Sequence, residues 1–183
     1  EVPQRGEQIL VTAGTATAAS AALRIGRRCG ATMITTTRSA RNRAYLEGMG
    51  ADHVFDYKQE NYTESGNKYD LIIDMVSNHS LSANRQVLQP DGRLVLVGGA
   101  KGNWIAPMIG PIKALLTSPF VSQELAVIFA RLVAEDLVVV ADLMSDGAVT
   151  PVIDQQFALE EVAEAIRYSE TGRARGKILI RID

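Results

Sequence analysis

The chain has 183 residues, enough for one well-buried domain with a small appended piece. With 46% hydrophobic and 22% charged residues and a formal net charge of -2, it has an ordinary soluble composition and gives no sign of nucleic-acid or polyanion binding. Cys29 is the single cysteine, which excludes an internal disulfide and a thiolate-rich zinc site and fits a reducing, cytoplasmic setting.

In chain order, Ile9–Ala13 is an apolar strand, followed by a turn of small residues and a helix over Ser20–Cys29. Ala31–Thr37 is rich in β-branched residues and is expected to be a second strand. Ala40–Met49 is a helix ended by Gly50, and His53–Tyr57 a short third strand. Asp70–Val76 is an apolar run broken by Asp74, the pattern of a strand buried on both faces, with backbone donors satisfying the acid. Leu81–Leu88 is a helix stopped by Pro90 and Gly92, and Arg93–Val97 a fifth strand running into Gly98 and Gly99. Five strands joined by helical crossovers predict an α/β fold, a Rossmann doubly wound parallel sheet with helices on both faces.

Beyond Ala100 the apolar stretch Trp104–Leu116 is interrupted by Pro107, Gly110, Pro111 and Lys113, so it is expected to be a buried loop or short helix rather than a membrane span. A long helical region is expected from Ser122 to about Asp146, then an extended piece at Pro151–Asp154, a helix at Leu159–Thr171 and a strand at Lys177–Ile182. This divides the chain into a dinucleotide-binding domain over 1–146 and a C-terminal strand–helix–strand segment over 147–183. The start at Glu1, directly before the first strand, suggests a piece of something longer.

The strings TTRSARNRAYLEGMGADHVFDY (36–57), YDLIIDMV (69–76) and GRLVLVGG (92–99) closely resemble the medium-chain dehydrogenase/reductase superfamily. Within it the match is to the zinc-independent quinone oxidoreductase branch, and the tail blocks PVID, LEEVAEAIRY and GRARGK strengthen it. The resemblance implies an N-terminal barrel domain ahead of the nucleotide domain, carrying most of the substrate pocket, on which the C-terminal segment packs. It also implies dimerisation through the edge strand of the nucleotide domain, here Arg93–Val97 with the apolar segment that follows.

Three groups of candidate binding residues follow. The turn at Gly14–Ser20 stands where a dinucleotide pyrophosphate meets a helix N-terminus, but Ala16, Thr17, Ala18 and Ala19 fill the stretch where later glycines of G-x-G-x-x-G would fall. Hydroxyls of Thr15, Thr17 and Ser20 can bind phosphate or cap the helix; the alternative is a plain connection. No acidic residue lies between Ala31 and Leu46 to hold an adenine ribose; Arg38, Ser39, Arg41 and Arg43 are there instead. Arginine and hydroxyl partners suit a 2'-phosphate, hence NADP (NADPH) over NAD; the alternative is a solvated helix start. Met75, Val76, Val97, Gly98 and Gly99 lie at strand ends, the edge where open α/β sheets bind ligands. By resemblance they flank the cofactor channel, Tyr57 borders the adenosine phosphate, and Arg173 and Arg175 return to the cleft; packing or exposed-turn roles compete.

His53 and His79 form no catalytic pair, Cys29 is a small buried residue, and neither a Ser-His-Asp set nor paired carboxylates are legible. The expected function is therefore the nucleotide-binding portion of an NADPH-dependent reductase, delivering hydride to a small-molecule acceptor, a quinone or an activated alkene or carbonyl. No catalytic residue is assignable, no metal is expected, and a homodimer is. The alternative is a non-catalytic domain kept for association or dinucleotide sensing.

Overall fold

β1 (Gln8–Val11) is apolar at three successive positions because both its faces are covered: Ile9 and Val11 enter one hydrophobic layer and Leu10 the other. The computed structural model describes residues 3–12, 17–37, 42–98, 106–128 and 133–182. Around β1 runs a six-stranded sheet in which every pairing is parallel, with strand order β3-β2-β1-β4-β5-β6. The strands are β2 (Thr32–Thr37), β3 (His53–Asp56), β4 (Tyr69–Asp74), β5 (Leu88–Leu96) and β6 (Glu124–Val127). Chain order reverses between β1 and β4, and the carboxyl ends of strands at such a reversal are where doubly wound sheets form their ligand crevice.

Helices cover both faces. α1 (Thr17–Arg28) and α2 (Arg43–Gly48) close one layer with Ala19, Leu23 and Leu46; α3 (Leu81–Gln86) and α4 (Ala106–Thr117) border the other, where Ala114, Val87 and Tyr62 are buried. α1 ends on Arg27 and Arg28, cations that suit the negative end of the helix dipole. It sits close against β2 because Gly26 has no side chain: a Cβ there would lie 2.4 Å from the sulfur of Met33. α3 is capped by Ser80, whose Oγ accepts from the Ala83 amide at 3.2 Å.

Four expectations are corrected. Residues 122–146 are not one helix: Glu124–Val127 is a sixth strand, registered Leu94↔Leu125 and Val95↔Ala126, and among the described residues of this stretch the helix is Ala134–Ser145 (α5). Glu, Leu and Ala are good helix formers, but propensity amounts to less than about 1 kcal/mol per residue, and burial of Leu125 against β5 outweighs it. Consequently Arg93–Val97 is no edge: β5 lies between β4 and β6, so an edge contact cannot use it. Trp104–Leu116, expected to be a buried loop or short helix, is helical in its described part, where α4 continues through Pro111 and packs against β6; what differs is burial, for Ile112, Leu115 and Leu116 are exposed. Cys29, expected to be buried, is half-buried.

The chain ends in a second unit, β7 (Ile153–Ala158), a single 3-10 turn, α6 (Val162–Glu170) and β8 (Lys177–Arg181), with β7 and β8 pairing in parallel. Val152 packs on the α1–α2 layer, joining this unit to the sheet. It leaves Ile153, Leu159, Ile166, Leu179 and Ile182 exposed, as α5 does Leu137, Val138 and Val139. Among the described residues no helix is long and apolar enough to cross a membrane.

Candidate functional site

The strand ends at the crevice are joined by a buried polar network. Thr12, directly after β1, donates its hydroxyl to Asp74 Oδ1 at 2.9 Å and accepts from the Met75 amide at 2.8 Å. Asp74, the last residue of β4, is 1% exposed. Its Oδ1 also accepts from the amides of Val76 (3.2 Å) and Ser77 (2.9 Å), and its Oδ2 accepts from Asn84 Nδ2 at 3.2 Å. Asn84 Oδ1 in turn accepts from the Tyr62 hydroxyl at 2.7 Å. Burial first, then the charge of Asp74 and the nearby Tyr69, push the Tyr62 pKa far above its ordinary value, so that hydroxyl remains a donor.

The turn after β4 is tied to β5 as well. Ser77 has φ 52°, a left-handed conformation rare outside glycine, and its hydroxyl donates to the Gly98 carbonyl at 2.7 Å. Gly98 is required by contact: a Cβ there would lie 2.0 Å from the Met75 carbonyl oxygen. Met75, Val76 and Gly98, expected at a strand-end cleft, thus meet in one clamped turn. Thr12, Ser77, Asn84 and Tyr62 were missed. The available signal was an acid ending an apolar strand, beside a threonine ending its neighbour.

The other expected residues are more dispersed. Thr15, Ala16, Arg38, Ser39, Arg41 and Gly99 lie outside the described residues; Thr17 and Ala18 form the first turn of α1, and Ser20 is half-buried in it. Arg43 opens α2 and pairs with Glu60 at 3.8 Å, both side chains well exposed. Tyr57 follows β3 and is exposed. Arg173 is exposed in the turn after α6, whereas the Arg175 guanidinium lies over the Tyr45 ring, 5.9 Å from its centroid. The Tyr45 hydroxyl donates to the Arg175 carbonyl at 2.6 Å. Its pKa is raised chiefly by burial; Arg24 and Arg175 oppose the shift and Asp154 adds to it. His53 lies edge-on to Phe55 and His79 edge-on to Tyr62, on separate elements.

Two implied groups can be tested against these residues. Asn42 Oδ1, one residue before Arg43, is buried with no hydrogen-bond partner among the described residues. An orphaned acceptor beyond the end of β2 fits a ribose hydroxyl, so the crevice and this flank suit a dinucleotide. Among the described residues no three His, Cys, Asp or Glu side chains converge, so these residues do not fit a zinc ion.

The fold and this strand-end crevice define a doubly wound α/β unit of the dinucleotide-binding class. Residues 49–180 match the zinc-binding dehydrogenase family, and the chain belongs to it; it is a quinone-oxidoreductase-like member of the medium-chain dehydrogenase/reductase superfamily. Proteins of this superfamily bind nicotinamide dinucleotides. The chain is 28% identical over 178 residues to the chloroplastic quinone-oxidoreductase QR1 of Triphysaria versicolor, covering 95% of this chain and 52% of that protein. It is 26% identical over 191 residues to a highly reducing polyketide synthase of Emericella nidulans, covering 98% of this chain and 7% of that one. The solved quinone oxidoreductase from Coxiella burnetii superposes with a TM-score of 0.79 at 24% identity, over 98% of this chain and 54% of its own. The chain therefore spans about half the length, or far less, of these relatives.

Proposed function

We propose that this chain is the nucleotide-binding portion of an NADPH-dependent oxidoreductase whose acceptor is a quinone or an activated alkene or carbonyl. The observation that carries this reading is the reversal of strand order between β1 and β4, with the strand-end turn held by Thr12, Asp74, Ser77 and Gly98. The preference for NADPH rests on the arginines after β2 in place of an acid. The Arg43–Glu60 pair is exposed and contributes little in water, so an incoming phosphate would displace it readily.

When bound, the dihydronicotinamide supplies the hydride. The chain's own residues orient and enclose: the first turn of α1 presents its amides to the pyrophosphate, and the clamped turn after β4 limits where the other half can lie. The apolar side chains exposed on β7, α6 and β8 support a further domain covering that unit, which would complete the acceptor pocket. Two copies would associate along the outer edge of β6 in place of β5.

Calorimetric titration with NADPH and NADH tests the reading. Saturable NADPH binding, weaker NADH binding, and a selective loss of NADPH in Arg38→Glu are expected. Equal losses for the two cofactors refute the 2'-phosphate assignment, and no binding of either to folded protein refutes the cofactor assignment.

A further inference from the structure

Asp74 poses a physical question. A carboxylate 1% exposed is costly to bury, and among the described residues no cation pairs with it. A strand end that merely had to pack would carry an apolar residue, like its neighbours Ile72 and Leu96. Every partner of Asp74 is a donor: the Thr12 hydroxyl, the amides of Val76 and Ser77, and the Asn84 side-chain amide. Thr12 gives its one hydrogen to Asp74, because a carboxylate has none to donate, and the same oxygen accepts from the Met75 amide. These donors fix consecutive backbone units of the turn after β4, and the left-handed Ser77 then reaches across to the Gly98 carbonyl of β5.

The place of this turn follows from topology. In a doubly wound sheet the adenine ribose is read at the end of the second strand and the pyrophosphate at the first helix. The remaining half of the dinucleotide then lies past β1, over the ends of β4 and β5. We propose that Asp74 is a positioning residue: through the amides of Val76 and Ser77 it sets the backbone against which the nicotinamide half of the cofactor seats, while the adenosine half is held elsewhere. The proposal rests on the dinucleotide reading above.

Asp74→Asn is isosteric, yet in either amide orientation it turns N–H groups toward a partner that is itself a donor. Titration of the whole chain with two probes gives the test: NADPH, and 2',5'-ADP, which carries the adenosine and its 2'-phosphate without a nicotinamide. In Asp74→Asn, NADPH binding falls about tenfold or more, a difference of about 1.4 kcal/mol, while 2',5'-ADP binding stays within about twofold. Ser77→Ala removes only the hydroxyl bond to Gly98 and gives the same probe-selective loss in smaller degree, so the test survives poor folding of Asp74→Asn. Equal losses for both probes in Asp74→Asn overturn positioning in favour of a general structural role. So does unchanged NADPH binding in Asp74→Asn, or in Ser77→Ala where Asp74→Asn does not fold. Wild-type protein that binds neither probe overturns the dinucleotide reading itself, and this proposal with it.

Discussion

Thr12→Val isolates the hydroxyl that joins β1 to β4. Valine has the same branched shape, suits a strand equally well and leaves no cavity, so the change is confined to hydrogen bonding. Thr12 is 3% exposed, and its oxygen serves two bonds, to Asp74 at 2.9 Å and from the Met75 amide at 2.8 Å. Loss of a bond to a charged acceptor costs about 1.5–3 kcal/mol, and leaving the Met75 amide without its acceptor adds about 1 kcal/mol. Asp74 Oδ1 retains its two backbone donors, which keeps the penalty toward the lower end. The expected destabilisation is about 2–4 kcal/mol, or roughly 5–15 °C in Tm for a chain of this size. Urea unfolding followed by circular dichroism measures it, with Thr12→Ser as the control that retains the oxygen. A Thr12→Val protein within about 0.5 kcal/mol of wild type would refute the reasoning, because surface-like changes fall in that range.

Gly98→Ala forces a methyl into the Met75 carbonyl, a backbone atom that cannot swing aside; a loss of about 2–4 kcal/mol is expected by the same denaturation assay. Leu125→Ala, in β6, should cost about 2–4 kcal/mol, whereas Leu137→Ala, exposed on α5, should stay within about 0.5 kcal/mol; similar values for the two would contradict the sixth strand. Tyr62, Tyr45 and Tyr69 all have pKa values raised above the ordinary 10.0, chiefly by burial. The unfolded chain therefore ionises first: their contribution is complete below pH 10 and declines as pH rises above it, by up to about 1.4 kcal/mol per pH unit for the buried Tyr62 and by less for the partly exposed Tyr45, whose charge water and two arginines screen. Urea midpoints between about pH 9 and 11 should fall accordingly, and less steeply in Tyr62→Phe; parallel slopes would exclude Tyr62 as a contributor.

Much of the architecture was legible in sequence because it depends on local patterning. Ile9, Leu10 and Val11 announce an apolar strand, the β-branched run before Thr37 a second, and Asp70–Val76 a strand covered on both faces. Helical crossovers between such strands leave the parallel doubly wound sheet as the consistent arrangement. The family likewise follows from strings that lie together in the chain.

What the sequence alone could not decide depends on contacts between distant residues. Glu124–Val127 carries good helix formers, and only its register beside Arg93–Leu96 makes it a strand; that same pairing moves the sheet edge from β5 to β6. Arg175 lies 130 positions from Tyr45, and only the fold brings the Tyr45 hydroxyl to its carbonyl and the Tyr45 ring beneath its guanidinium. Asp74 could be read as an acid needing donors, but Thr12 stands 62 positions earlier and Asn84 ten later. Local propensity shapes the individual elements, whereas hydrogen bonding and burial across the sheet decide which of their ends meet, and the candidate site is made of those ends.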